Sequence, residues 1–125
     1  MQIGALVGGA AEVVGPEATI AEVADRMIER QVDCLAVVDG RRLVGIITEH
    51  DVVVAVGEGV DTEDEIVSVW MSEAPDTFGP DVSVQEATEW LMQTGYRHLP
   101  VMAGGELLGV VGIRDLLWAM QTKGP

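Results

Sequence analysis

From Thr19 onward the chain switches between two spacings of apolar residues. Ile20, Val23, Ala24, Met27 and Ile28 follow the i, i+3, i+4, i+7, i+8 stripe of a helix buried on one side. Thr19-Ile20-Ala21-Glu22 opens it as a capping box, a hydroxyl for the early amides with a glutamate three residues on. Cys34 to Val38 and Leu43 to Thr48 then read as strands, joined by the turn Asp39-Gly40-Arg41-Arg42, whose Asp-Gly pair favours a tight hairpin. A short strand near Ala11 to Val14 precedes the helix, and a short helix, about Glu49 to Val56, ends the run. The order is β-α-β-β-α.

The pattern returns 64 residues later, with Gly45-Ile46-Ile47-Thr48-Glu49-His50-Asp51 answered by Gly109-Val110-Val111-Gly112-Ile113-Arg114-Asp115. Seven of the 33 pairs between residues 19–51 and 83–115 are identical, and most others keep their apolar or polar character. The copy predicts a short strand near Asp76 to Phe78 and a capped helix from Ser83 to Glu86 onward, striped by Val84, Ala87, Leu91 and Met92. Strands His98 to Met102 and Leu107 to Ile113 and a helix about Arg114 to Met120 complete it. The fold class is α/β in the α+β sense, two βαββα repeats over residues 2–58 and 66–122, with an acidic linker at 59–65. Five carboxylates between Glu58 and Glu65 read as a solvated linker or helix start, lacking the spaced ligands and central glycine of a calcium loop.

Charge changes the picture of partners. Acidic residues outnumber basic ones 21 to 7, a formal net charge of −14 over 125 residues. Such a chain has no general affinity for nucleic acid or an anionic membrane, so any anionic ligand must be held by local groups. No apolar run approaches the ~20 residues of a membrane span. The start, Met1 to Ala11, has no basic flank and does not read as a signal peptide. The one cysteine, Cys34, makes no internal disulfide, which fits a cytoplasmic protein.

The heptapeptide carries the candidate chemistry. Gly45 permits close backbone approach within a strand. Thr48 stands where strand gives way to helix, and Asp51 falls in the first helical turn. A carboxylate there is favoured by the helix N-terminus and can accept two hydrogen bonds from a vicinal diol such as that of ribose. The competing reading makes Thr48 an N-cap and Asp51 a complement to the helix dipole.

The glycine-apolar-apolar-threonine-x-x-aspartate run at Gly45 to Asp51, the Leu99-Pro100-Val101 strand and the in-register repetition resemble a tandem cystathionine-β-synthase (CBS) domain pair, or Bateman module, over nearly the whole chain. The resemblance implies two sheets packed about a pseudo-two-fold axis, clefts between the repeats for AMP, ATP or S-adenosylmethionine, and a disc-shaped homodimer. It also implies that Tyr96, Arg97 and His98 share the cleft of Thr48 and Asp51. Arg97 suits a phosphate, His98 can donate a further bond, and Tyr96 can stack on a base. Backbone groups near Met71 and Thr77 would hold the adenine. Otherwise Arg97 is a surface ion-pair partner and His98 a half-buried strand residue.

The second copy departs from that pattern. Gly112 replaces the threonine, and Asp33 takes the place that Arg97 has in the other cleft. Asp115 keeps the diol acceptor and Arg114 supplies one positive charge. This weaker cleft is expected to be empty or to accept an uncharged or cationic adenosyl compound.

No enzymatic constellation emerges: Cys34 sits in an apolar strand, His50 and His98 show no metal-ligand spacing, and Gly104-Gly105 is a turn without a lysine. No cofactor or metal is expected. Val52 to Val56 and Leu116 to Met120 are apolar all round, which points to a homodimer surface, with Trp90 extending it, or to core filling. The expected function is a stand-alone regulatory module that binds an adenine nucleotide and signals by a conformational or dimer change to an unknown protein partner. The alternative is a constitutive dimerisation or scaffold protein with vestigial clefts.

Overall fold

The protein is described from a computed structural model covering residues 1–8 and 11–122. It divides into two compact units, Glu12–Pro75 and, discontinuously, Met1–Ala11 with Asp76–Pro125. Both are mixed α/β.

The unit formed by Glu12–Pro75 contains β1 (Val13–Val14), α1 (Ile20–Arg30), β2 (Cys34–Asp39), β3 (Arg42–Thr48), α2 (Glu49–Gly57), α3 (Val67–Trp70) and β4 (Ser72–Glu73). Its sheet runs β1-β2-β3-β4, with β1 parallel to β2 and the other pairs antiparallel. The hairpin turns through Gly40 at φ +64, a left-handed conformation that suits glycine. Val23 and Met27 of α1 pack on Leu35, Val37, Ile47 and Val67 to make the core. The acidic stretch is less free than its composition suggests. Thr62 and Glu65 carbonyls accept the Ala21 and Ile20 amides, both at 2.9 Å, and Glu65 Oε1 accepts Trp70 Nε1 at 3.1 Å. The backbone is thus tied to the start of α1, while Asp61, Glu63 and Asp64 stay exposed.

The other unit contains α4 (Val84–Thr94), β5 (His98–Ala103), β6 (Glu106–Gly112) and α5 (Ile113–Thr122). Ala87 and Leu91 of α4 pack on Leu99, Val101, Val111 and Leu116, and Ile3 from the chain's start completes this core. The strand expected near Asp76 to Phe78 shrinks to one bridge between Phe78 and Val101. Pro100 supplies the reason. In the first unit the Ala36 amide donates to the Glu12 carbonyl at 3.1 Å, and Pro100, 64 positions on from Ala36, has no N–H to offer.

Packing units and sequence repeats do not coincide. The lead-in of each repeat packs on the unit built by the other: Ile3 is buried with the second helix and hairpin, Val67 with the first. Equivalent bonds secure both: Ile3 N to Val82 O at 2.8 Å matches Val67 N to Ala18 O at 2.8 Å, and Val84 N to Met1 O matches Ile20 N to Glu65 O. The 64-residue offset therefore reaches back to the lead-ins. Each repeat needs the apolar turn of the other to close its core.

Candidate functional site

In the first unit, Thr48 and Asp51 form a complete capping box at the start of α2. Thr48 Oγ1 accepts the Asp51 amide at 3.4 Å, and Asp51 Oδ2 accepts the Thr48 amide at 2.9 Å and its hydroxyl at 3.1 Å. The capping role and the ligand role expected of these residues thus share one geometry. Oδ2 is committed, which fixes the plane of the carboxylate. Oδ1 has no hydrogen bond among the described residues, and the side chain is half-buried.

Gly45 and Met71 also meet, but over a packing task. A Cβ at Gly45 would collide with the Met71 side chain, and β4 pairs with β3 at Gly45 and Ile46. The close approach expected at Gly45 is made by the chain's own lead-in segment. The Met71 amide is spent on the Val67 carbonyl at 2.9 Å. Asp33 is exposed, and its carbonyl accepts the Glu49 amide at 3.0 Å.

Cys34 pairs in register with Thr48 and is buried. Burial above all, with Asp33 and Asp51 adding negative charge, pushes its thiol up to about 12. A neutral packed thiol of this kind is a poor nucleophile.

The second unit holds the remaining residues. Arg97 is exposed, and its guanidinium has no ion-pair partner among the described residues, whereas Arg26 and Arg30 both lie 3.8 Å from Glu12. Its carbonyl accepts the Ile113 amide at 2.9 Å, anchoring it to the start of α5. His98 is half-buried and pairs in register with Gly112. Asp115 repeats half of the capping box, accepting the Gly112 amide on Oδ2 at 2.8 Å, and the hydroxyl half is missing. The space above Gly112 is bounded by Asp115 Oδ2, the His98 ring edge and the Arg97 carbonyl, each 3.7–3.8 Å from where a Cβ would sit. Arg114 and Thr77 are exposed.

Tyr96 is 58% exposed, but one ring face stacks on Trp90 at 5.6 Å and 18°. Trp90 in turn meets Phe78 edge-on at 4.9 Å. Trp90 is half-buried and packs against the core. This aromatic ladder was not foreseen. Its one sequence signal is the placement of Trp90 and Tyr96 either side of the end of α4.

On α2, Ala55 is buried while Val53, Val54 and Val56 are exposed. On α5, Ala119 and Leu116 are buried while Leu117, Trp118 and Met120 are exposed. One side of each helix thus fills the core and the other stays open. Among the described residues no group of three or more histidine, cysteine or acidic side chains could hold a metal, and no helix is long and apolar enough to cross a membrane.

A helix, a hairpin and a second helix recur in both units, with a capping carboxylate after each hairpin. The CBS domain model matches residues 10–58 and 64–122, and the chain belongs to that family. An uncharacterized 17.7 kDa protein of Acidianus ambivalens is 39% identical over 110 residues, 86% of this chain and 66% of that protein. Inosine-5'-monophosphate dehydrogenase of Korarchaeum cryptofilum is 34% identical over 106 residues, 84% of this chain but 21% of that enzyme. The chain thus spans about two thirds and one fifth of these relatives. The CBS domain protein PAE2072 of Pyrobaculum aerophilum, solved with AMP, superposes at a TM-score of 0.86 with 26% identity, covering 98% of this chain and 99% of that one.

Proposed function

We propose that this chain is a non-catalytic regulatory module that binds an adenosine-containing ligand of the AMP, ADP or ATP class. The observation that carries the reading is the Asp51 carboxylate. Its Oδ2 is locked by Thr48, which leaves Oδ1 oriented at a helix N-terminus to accept from a ribose diol. Arg97, a cation unpaired among the described residues of a strongly acidic chain, takes the phosphate. His98 donates a further bond and Tyr96 offers its outer face to a base. Backbone near Met71 and Thr77 serves the adenine. The AMP complex of PAE2072 supports the ligand class.

The second copy of the motif is a weaker site. It lacks the hydroxyl, carries Asp33 at the repeat position of Arg97, and keeps Asp115 and Arg114. An uncharged or cationic adenosyl compound, S-adenosylmethionine included, suits it better than AMP. The module signals as a homodimer to a protein partner, through a shift between arrangements that the ligand binds unequally.

Titration calorimetry tests this. One AMP site per chain is expected, weakened about tenfold or more by Asp51→Ala or Arg97→Ala, the range of 1–3 kcal/mol for a lost charged hydrogen bond. Absence of binding by AMP, ADP, ATP and S-adenosylmethionine overturns the reading. That outcome would favour a constitutive dimerisation protein, which the exposed apolar faces of α2 and α5 also support.

A further inference from the structure

The chain has three tryptophans, one tyrosine and one phenylalanine. Three of these rings stand in one ladder, Phe78 edge-on to Trp90 and Trp90 stacked on Tyr96. The scaffold itself does not require them. At the 64-residue offset the first copy has Val14, Arg26 and Val32 in their places, and it builds the same helix and hairpin. Arg26 lies beside Glu12 as a surface ion pair at 3.8 Å instead of stacking. Aromatic rings that one copy of the fold does without are free to serve a task other than folding.

Each rung is held by the one behind it. Phe78 is fastened to β5, its amide donating to the Pro100 carbonyl at 3.0 Å and its carbonyl accepting the Met102 amide at 2.8 Å. Trp90 packs against the core of the same unit. Thr94 Oγ1 donates to the Trp90 carbonyl at 2.8 Å and accepts the Tyr96 amide at 3.4 Å, so the backbone of Tyr96 is tied to the turn that carries Trp90. Tyr96 directly follows Gly95, which sits at φ 81, and its side chain is largely exposed. An exposed ring just past a glycine would otherwise sample several rotamers. Stacking on Trp90 selects one and leaves the outer face open.

We propose that Trp90 is a positioning residue for the ligand's base: by holding Tyr96 in one orientation it presents the outer phenol face as a preformed platform, and the base extends the ladder by one ring. A ring already ordered before binding has little entropy left to lose when the base arrives. Stacking on an aromatic face is also insensitive to the hydrogen-bonding edge of the base, so Tyr96 reads its planarity. The inference rests on the adenosine-ligand reading above and adds to it the residue that sets the base.

Titration calorimetry with AMP and with ribose 5-phosphate, which keeps the diol and the phosphate but lacks the base, separates positioning from folding. Trp90→Leu is expected to weaken AMP about fivefold, the order of one aromatic pair, and to leave ribose 5-phosphate within about twofold. Trp90→Phe keeps an aromatic face behind Tyr96 and should recover most of the AMP affinity. Equal losses for both ligands, or no loss for AMP, overturn the proposal, as does a native chain that binds ribose 5-phosphate as tightly as AMP. A native chain that binds neither overturns the adenosine reading and this proposal with it. Trp90→Met, whose flexible side chain refills the core, repeats the comparison should Trp90→Leu fold poorly.

Discussion

The side chain of Met71 lies directly over Gly45, where a Cβ would come within 2.8 Å of the methionine Cγ and 2.9 Å of the Ser72 carbonyl oxygen. Val7 stands over Gly109 in the same way, its Cγ1 2.6 Å from the equivalent point. These two glycines are the seats of the exchanged lead-in segments.

Gly45→Ala is therefore expected to destabilise by about 1–3 kcal/mol through overpacking, with Gly109→Ala similar. Gly57 provides the contrast, since a Cβ there meets nothing within 4 Å. Gly57→Ala, in the last turn of α2, should be neutral or stabilising by up to about 1 kcal/mol. Thermal melts of the three variants check the assignment. Equal losses would show that the lead-ins are not seated on these glycines.

Removing or restoring the capping hydroxyl separates stability from binding. Thr48→Val deletes the acceptor of the Asp51 amide and should cost about 1 kcal/mol. It should also weaken AMP, because Asp51 then loses one of the two bonds that set its pose. Gly112→Thr does the reverse in the second copy. A Cβ there finds only ordinary contacts, and a hydroxyl completes the half-formed box with Asp115, so a gain of a few tenths to about 1 kcal/mol is expected.

The ends of α1 and α4 make a third test. Gln31 and Gly95, 64 positions apart, both occupy the left-handed C-terminal position, at φ 56 and 81. Glutamine is strained there and glycine is not. Gln31→Gly should stabilise by roughly 1 kcal/mol, and Gly95→Gln should cost a similar amount, both read from urea midpoints. Ala74, at φ 46, is a second non-glycine residue in this region, and Ala74→Gly is expected to shift the midpoint the same way as Gln31→Gly.

Local rules were legible in the sequence where neighbours in the chain decide the outcome. Thr19 and Ser83 cap their helices at 3.1 and 3.0 Å, and the two hairpins fall where the apolar alternation breaks at glycine. The Thr48 cap on α2 is legible because the Asp51 amide it accepts lies three residues on. What escaped depends on contacts distant in sequence. Ile3 and Val67 leave their own repeats, a choice that no local period encodes, although Val7 and Met71 were already in register at the repeat offset. The missing second-copy strand hinged on a single absent N–H at Pro100, whose partner lies more than twenty residues upstream. In the sequence Tyr96 reads as an open stacking surface, because nothing in its neighbourhood shows that Trp90 takes one face.

Cys34 gives a pH-dependent prediction whose sign follows from its shift. Its thiol goes from the ordinary 9.0 to about 12 on folding, chiefly by burial and then by the charges of Asp33 and Asp51. A group that holds its proton more tightly when folded stabilises fully below the unfolded value and loses that contribution as pH rises from about 9 towards about 12. Stability should thus fall above pH 9 by at most about 1.4 kcal/mol per pH unit from this group alone. Tyrosine and lysine titrate in the same range, so the measurement is the difference between the native chain and Cys34→Ala in urea unfolding at pH 7 and pH 10. The native chain should lose more of its stability between the two. A thiol reagent should also leave Cys34 unmodified at pH 8 until the chain is unfolded, and rapid labelling of the folded protein would place the side chain outside the core.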